Sequence, residues 1–335
     1  MLSLESNRNF SNSSSYGSTT PSIHEKEGCF LLHVNLDSAQ YLYVAHILTS
    51  IINIASSPTA VAGNFIVIFS IWKTPSLHTP SNVFICCLAF SDLTVGLLAQ
   101  PFFVIHKIGE ILRRFDMYCT TRILLESLGN VTAGASVLTM TGIAVERWLA
   151  LFLHLRYNEI VTARHVVFAV ACFWIVLVVL AAFRIFIMPP AIYSNILIAI
   201  ISLSLLSTYL AYIKILQCVR KHENRFEIVE IEITRSSLHI EQKTGNTRNM
   251  KRYKKSTVAM IIVVGLFTAC YLPFLCVKLA QKVWGYTTPV KTAYLYATTI
   301  ALLNSSLNPL VYCWRINTLR HAMKKVLKEK LCKCN

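Results

Sequence analysis

The 335 residues call for an all-α membrane protein, a bundle of seven transmembrane helices followed by a short amphipathic helix on the inner leaflet. Three observations carry that reading. Hydrophobic residues make up 54% of the chain and charged residues only 14%, where a soluble domain carries about 25% charged residues. The charges are clustered, so that no Asp, Glu, Lys or Arg occurs from Gln40 to Trp72 or from Thr292 to Trp314. They are also lopsided, 32 Lys and Arg against 16 Asp and Glu. This combination excludes a disordered chain, a disulfide-stapled secreted module and a soluble nucleic-acid binder, and no nucleic-acid partner is expected.

A helix crosses the hydrocarbon core with about 20 apolar residues, because each backbone amide must be satisfied within the segment. Seven stretches qualify: Leu42–Trp72, Asn82–His106, Cys119–Leu151, Val166–Met188, Ala191–Val219, Ser256–Ala280 and Val290–Trp314. Spans four and five are separated only by Pro189-Pro190, which cannot continue a helix comfortably and implies a very short outer loop. After span seven, Ile316, Leu319, Met323, Val326 and Leu327 recur at helical spacing among basic residues, the pattern of a helix lying on the inner leaflet. The chain thus divides into a polar segment 1–41, a membrane domain 42–314 and a tail 315–335. The loop 220–255 holds ten basic and five acidic residues and is expected to be a solvated, partly helical face.

Lys and Arg fix the sides. The stretches 73–81, 147–165, 220–255 and 315–335 hold 21 of them, and the alternate stretches 1–42, 107–122, 188–195 and 281–289 hold 7. The positive-inside rule places the amino terminus outside and the carboxyl terminus inside. Asn9 and Asn12, each in a glycosylation sequon within a Ser- and Asn-rich head, agree with that side. No cationic start followed by an apolar run precedes residue 40, so the first span is expected to direct membrane insertion. No internal repeat of the kind that marks many transporters is present.

Three acids fall inside the expected spans: Asp92, Glu126 and Glu146. Ionisable groups at membrane depth are costly and point to function. Asp92 is either a protonated, hydroxyl-satisfied link between helices or one ligand of a small hydrated cation held by hard oxygens. Asn64, Ser136, Asn304 and Asn308 are polar, mid-span and on other helices, and their convergence on Asp92 would make a shared polar pocket. Glu146 and Arg147, at the inner end of span three, read equally as a functional pair or as side chains reaching the interface. Pro273 in span six and Pro309 in span seven free backbone carbonyls and predict bendable helices.

In order, these features resemble the rhodopsin-like (class A) G protein-coupled receptors from Tyr43 to Lys330. The matching residues are Gly63-Asn64, Leu88-Ala89-Phe90-Ser91-Asp92, Glu146-Arg147-Trp148, Trp174, Tyr212, Phe267 to Pro273, and Asn308-Pro309-Leu310-Val311-Tyr312, each in the corresponding span. The resemblance implies a two-state bundle that signals by shape change and catalyses no reaction on a substrate. It assigns Asp92, Ser136, Asn304 and Asn308 to an allosteric sodium site, with no other cofactor. Glu146, Arg147, Trp148, Tyr212, Asn308, Pro309 and Tyr312 become the G-protein coupling elements, and Phe267, Tyr271 and Pro273 the switch that swings span six outward. The implied partners are an unidentified extracellular ligand, a heterotrimeric G protein and membrane lipid, at the plasma membrane. A transporter or channel would instead conduct through the bundle and tolerate loss of Arg147. A decoy receptor would bind without signalling.

The sequence departs from that family in places. Arg122 stands where most members keep a cysteine at the top of span three, and Cys119 lies one turn earlier. Cys29 and Cys119, the two cysteines placed to face the oxidising outside, are either bonded to each other or free thiols. Ser204 replaces the proline of span five and, with the short second outer loop, is similar to the melanocortin receptors. Leu155 to Ile160 is similar to that group and to adenosine-type receptors, and the chain is placed near the melanocortin, adenosine and lysophospholipid cluster. Glu126 matches one acid of the melanocortin calcium site, or pairs with Arg122 at i, i+4. Gly129 occupies the amine-receptor aspartate position and Leu302 the opsin lysine position, which argues against an amine counter-ion and against retinal. Ligand-pocket residues are expected among Arg122, Glu126, Gly129, Lys278, Tyr294 and Thr298. Lys278, Lys291, Arg184 and Arg122 give the outer half a basic cast that suits an anionic or polar ligand, or that reflects snorkelling to headgroups. Tyr253 replaces the acid that often pairs with Arg147, which predicts ligand-independent signalling. Cys332 and Cys334 are palmitoylation candidates or plain tail cysteines.

Overall fold

The computed structural model describes the backbone of residues 28–29, 32–33, 40–153, 156–234 and 241–331, and side chains of 40–153, 156–157, 159–218, 220 and 261–329. The chain forms two compact units, Met1–Asn35 and Leu36–Asn335. In the first, β1 (Gly28–Cys29) pairs antiparallel with β2 (Leu32–His33), a two-residue hairpin that no pattern in the sequence announces. Asn9, Asn12, Cys332 and Cys334 lie outside the described residues, as do the side chains of Cys29 and Tyr253.

The second unit is helical: α1 (Tyr43–Lys73), α2 (Pro80–Thr94), α3 (Gln100–Ile111), α4 (Phe115–Leu153), α5 (Tyr157–Ile160), α6 (Ala163–Phe186), α7 (Pro190–Thr234), α8 (Glu241–Trp284), α9 (Thr288–Arg315) and α10 (Asn317–Leu331). The end where α1 begins, expected to face outward, is called the outer end below. A π-turn, Val95–Ala99, joins α2 to α3 into the second span. Pro101 explains it. With i→i−5 bonding the missing proline N–H leaves the Gly96 carbonyl without a helix donor, and the Ser57 hydroxyl of α1 donates to that carbonyl at 2.8 Å. The expected break at Pro189-Pro190 is real, with α6 ending at Phe186 and α7 beginning on Pro190. Thr79 and Thr162 start α2 and α6 by accepting from the backbone N–H groups of Asn82 and His165.

Among the described residues six helical segments are long and apolar enough to cross a membrane: α1, the α2–α3 pair, α4, α6, and parts of α7 and α8. The seventh, α9, is 28 residues long and is less apolar because it carries Asn304, Ser305, Ser306 and Asn308, all of them buried. Large apolar side chains such as Phe152, Phe168, Ile175 and Leu203 are at least 62% exposed, a belt that suits lipid and would be an aggregation surface in water. Packing is concentrated toward the inner half. There Ile85, Leu88, Val137, Ile143, Ile215, Phe267 and Tyr312 form one continuous buried cluster. α4 runs through this cluster, touching α2, α3, α6 and α7.

The expected amphipathic helix is α10: Leu319 and Met323 are buried in the main cluster, against α1 and α9, Val326 is buried as well, and Leu327 stays exposed. An ion pair from Lys73 at the end of α1 to Glu329 fixes its far end.

Candidate functional site

The polar residues of the bundle form an axis running through its interior. At its centre Pro309 and Gly63 meet: a Cβ built on Gly63 would lie 2.9 Å from both Cβ and Cγ of the proline ring. Pro309 has no N–H for the carbonyl four residues earlier, that of Ser305. The Asn64 amide fills the gap, donating to the Ser305 carbonyl at 2.8 Å as well as to Ala60. Gly63-Asn64 is therefore one device, glycine admitting the ring and asparagine satisfying the carbonyl that the ring leaves open.

Asp92, fully buried, accepts from the Ser305 hydroxyl at 2.8 Å and from the Asn308 amide at 2.7 Å. Ser136 does not reach Asp92 but shares a 2.8 Å hydrogen bond with Ser91. Asn304 is fully buried and neither of its amide atoms has a partner among the described residues, and the amide oxygen of Asn308 has none either. A carboxylate with two orphaned amide oxygens nearby is a set of hard oxygen donors and fits a small cation. Of the expected residues, Asn308 is joined to Asp92 directly, while Asn64 and Ser136 are one step removed. Ser305 was missed. It lies three residues before Asn308, so helical spacing alone put the two on one face.

At the inner end, Glu146 is 3% exposed and its Oε1 accepts from the Ser81 hydroxyl at 2.8 Å and from the Tyr157 hydroxyl. Its Oε2 lies 3.4 Å from Nε of Arg147. Burial, then the bond to Glu146, holds the Tyr157 hydroxyl protonated well above the ordinary phenol range, so it donates at any physiological pH. Sequence reasoning did not find Ser81 or Tyr157, because one opens α2 and the other sits in the four-residue α5. Trp148 stacks on Phe152. Tyr212 and Tyr312 are buried, and neither hydroxyl has a partner among the described residues.

Phe267 and Tyr271 stack with ring centroids 4.4 Å apart on α8, just before Pro273. Beside them a small cavity of about 10 Å³, the space of one water molecule, is lined by Thr141, Ser204, Thr208, Thr268 and Phe267, among others. Thr208 donates to Thr141 at 3.2 Å, and Thr141 reaches the Ser204 carbonyl at 3.3 Å. The Thr268 hydroxyl, buried, has no partner among the described residues. Where α7 lacks a proline, hydroxyls thus join it to α4.

Toward the outer end, Arg122 and Glu126 form the expected i, i+4 ion pair at 3.2 Å, and Arg122 also donates to the Tyr118 hydroxyl. The Lys278 ammonium lies over two rings, 4.6 Å from the Tyr294 centroid and 5.5 Å from that of Phe274. A Cβ on Gly129 would meet nothing within 4 Å. The Thr298 hydroxyl is buried without a partner among the described residues. Cys119 is disulfide-bonded. A further cluster escaped notice because Glu110 looked like a loop residue: it is buried on α3, 2.8 Å from Lys107 and 3.5 Å from His46 of α1.

A membrane bundle of this topology, with a buried acid bonded to the Asn-Pro helix and an acid–arginine pair at its inner end, defines a seven-helix receptor. The sequence profile described as 7 transmembrane receptor (rhodopsin family) matches residues 63–192 and 187–312, and the chain belongs to that family. It is 26% identical to adenosine receptor A2b of Bos taurus over 88% of this chain and 92% of the relative. It is 24% identical to adenosine receptor A2b of Homo sapiens over the same shares. A QRFP-like peptide receptor of Branchiostoma floridae is 25% identical over 76% of this chain and 70% of the relative. Members of this family are receptors that signal through G proteins, and none of these relatives is an enzyme.

Proposed function

We propose that the protein is a plasma-membrane receptor, amino terminus outside, that takes an extracellular ligand into the Lys278–Glu126–Gly129 chamber and hastens GDP release from a heterotrimeric G protein. The observation that carries this reading is the arrangement at the inner end. Glu146, buried and bonded to Ser81 and Tyr157, lies 3.4 Å from Nε of Arg147 and fixes an acid–arginine pair where an intracellular partner would bind. When the bundle opens, the guanidinium can exchange its contacts there for those of the partner.

The path between the two ends is supported by the same geometry. Pro273 lies inside α8 directly after the Phe267–Tyr271 stack, so a ligand pressing on the outer end of α8 tilts the segment below it. Tyr212 and Tyr312, with hydroxyls awaiting partners, close beneath Arg147 as α8 leaves. A sodium ion at Asp92 would supply charge neutralisation for the buried carboxylate. Asp92, Asn304 and Asn308 would hold it, and Ser305 and Asn308 already orient the carboxylate oxygens. The relatives' names point to adenosine in one case and a peptide in another, so the ligand class is better read from the chamber itself.

The test is GDP release from purified G proteins of each class by receptor in lipid nanodiscs. Wild type should accelerate release from at least one class, and Arg147→Ala should not. Equal release by wild type, Arg147→Ala and empty nanodiscs across all classes overturns the reading in favour of a decoy. Solute uptake that survives Arg147→Ala would favour a transporter.

A further inference from the structure

We infer that the outer chamber is an anion site: the ligand carries a carboxylate or phosphate that seats on the Lys278 ammonium, attached to a flat or apolar body. This rests on the receptor reading above and names the ligand chemistry it leaves open.

The argument begins with the cations of the outer half. Arg122 is satisfied by Glu126 at 3.2 Å and by the Tyr118 hydroxyl. Lys107 is satisfied by Glu110 at 2.8 Å, and Lys282 donates to the Asn195 amide oxygen. Lys278 is different. Its ammonium lies over the rings of Tyr294 and Phe274, its hydrogen-bond partner is the Tyr294 hydroxyl, and no carboxylate among the described residues lies within 4 Å of it. One hydroxyl occupies one of three N–H donors, and ring faces attract the charge without accepting the others. A half-buried ammonium in that setting has capacity for an oxyanion.

The surroundings match such a guest. The Tyr294 and Phe274 rings, centroids 5.8 Å apart and tilted by 41°, form apolar walls beside the charge. Thr298, one turn along α9 from Tyr294, has a buried hydroxyl without a partner, a second donor on the same face. Gly129 leaves room on α4, one turn from Glu126. Glu126 is already neutralised by Arg122, so the unpaired charge of the chamber is positive. A cationic ligand would meet Lys278 and find Glu126 taken. A neutral ligand would leave the ammonium with the Tyr294 hydroxyl as its one oxygen and no counter-charge within 4 Å. Snorkelling to lipid headgroups is a poor account of Lys278, since its ammonium is turned onto rings within the bundle.

Three probes that share one ring separate the possibilities: phenyl phosphate, benzoate and benzyl alcohol. The readout is the ligand-induced rise in melting temperature of full-length receptor in nanodiscs made from zwitterionic lipid, titrated with each probe. Phenyl phosphate or benzoate should stabilise the wild type and benzyl alcohol should not, and whichever anion acts shows whether phosphate or carboxylate is preferred. Lys278→Gln should weaken the active anion by about tenfold or more, and Lys278→Arg should retain it. The arginine variant guards against a folding defect at that position. Equal responses to all three probes in wild type, no response to either anion, or an anion preference that survives Lys278→Gln overturns the inference. The same preparations report GDP release. Arg147-dependent release without anion preference overturns the anion site alone, whereas anion preference without release supports it and overturns the signalling reading.

Discussion

Gly63→Ala and Gly129→Ala are the same chemical change in two membrane helices, and the structure assigns them different outcomes. Replacing glycine by alanine inside a helix gains about 0.8–1.0 kcal/mol of intrinsic propensity. That gain is common to both. At Gly129 the new methyl meets nothing within 4 Å, so the gain is the whole effect. At Gly63 it would sit 2.9 Å from two ring carbons of Pro309, roughly an ångström inside contact. A proline ring has no rotamer by which to yield, so α1 and α9 must separate, straining the 2.8 Å bond from Asn64 to the Ser305 carbonyl. Overpacking of this kind costs about 1–3 kcal/mol. Because propensity cancels between the two variants, their difference isolates that cost. Thermal melting of both purified receptors with a thiol-reactive dye, beside wild type, is the assay. Gly129→Ala should melt at or above wild type and Gly63→Ala below it, by an amount matching about 1–3 kcal/mol. If Gly63→Ala melts as high as Gly129→Ala, the close approach of Gly63 to Pro309 is wrong, and the account of the Gly-Asn pair falls with it.

Four other outcomes are expected. Tyr157→Phe returns Glu146 Oε1 to Arg147 and should lower ligand-independent GDP release by about two- to tenfold, the worth of one net hydrogen bond; a rise in basal release would contradict the arrangement. Asp92→Asn should abolish the difference in basal release between sodium chloride and choline chloride at equal ionic strength, and a difference that persists would place any sodium effect elsewhere. Thr268→Val removes a buried hydroxyl without a partner among the described residues and should leave melting unchanged or raised, whereas Thr141→Val breaks the two hydrogen bonds that join α4 to α7, besides one within α4, and should lower stability by about 1–2 kcal/mol; the reverse ranking would refute the hydroxyl ladder. Peptide mapping of non-reduced receptor should recover Cys119 in a disulfide with Cys29, and recovery of both as free thiols would remove that pairing.

What the sequence made legible follows from the physics of hydrocarbon. Spans are set by runs without charge, so the helices appeared where expected, including the break before Pro190. Polar residues at membrane depth are few enough to stand out, which is why Asp92, Asn304 and Asn308 could be named in advance. The missed features depend on register or on neighbouring helices. Whether Ser305 or Ser136 reaches Asp92 is decided by the rotation of α9 and α4, and the π-turn at Val95–Ala99 rotates everything beyond it. Ser81 meets Glu146 through the packing of α2 on α4, and Tyr157 meets it from the short α5 that follows α4. Glu110 counted as a loop residue because its segment is too polar for a span, yet α3 continues to Ile111 and buries it against His46. The apolar face of α10 was legible as a face, whereas its packing of Leu319 and Met323 against the bundle was not.

On the proposed receptor reading, the interior polar groups would let one sequence support two packings. Thr268, Asn304, Tyr212 and Tyr312 are buried with polar atoms that no described residue satisfies. An unmet buried hydrogen-bonding group costs about 1–3 kcal/mol, so these demands must be met by water, an ion or a rearrangement. They lie between α4, α7, α8 and α9, the helices on which a swing of α8 would act, and not against the lipid-facing belt. A change of state can therefore exchange partners along the axis while the apolar surface toward the bilayer stays nearly as it is. Two such arrangements would differ by a small net energy because each exchanges one set of polar contacts for another, and the proposed ligand contact at Lys278, if worth a few kcal/mol, would reverse their order.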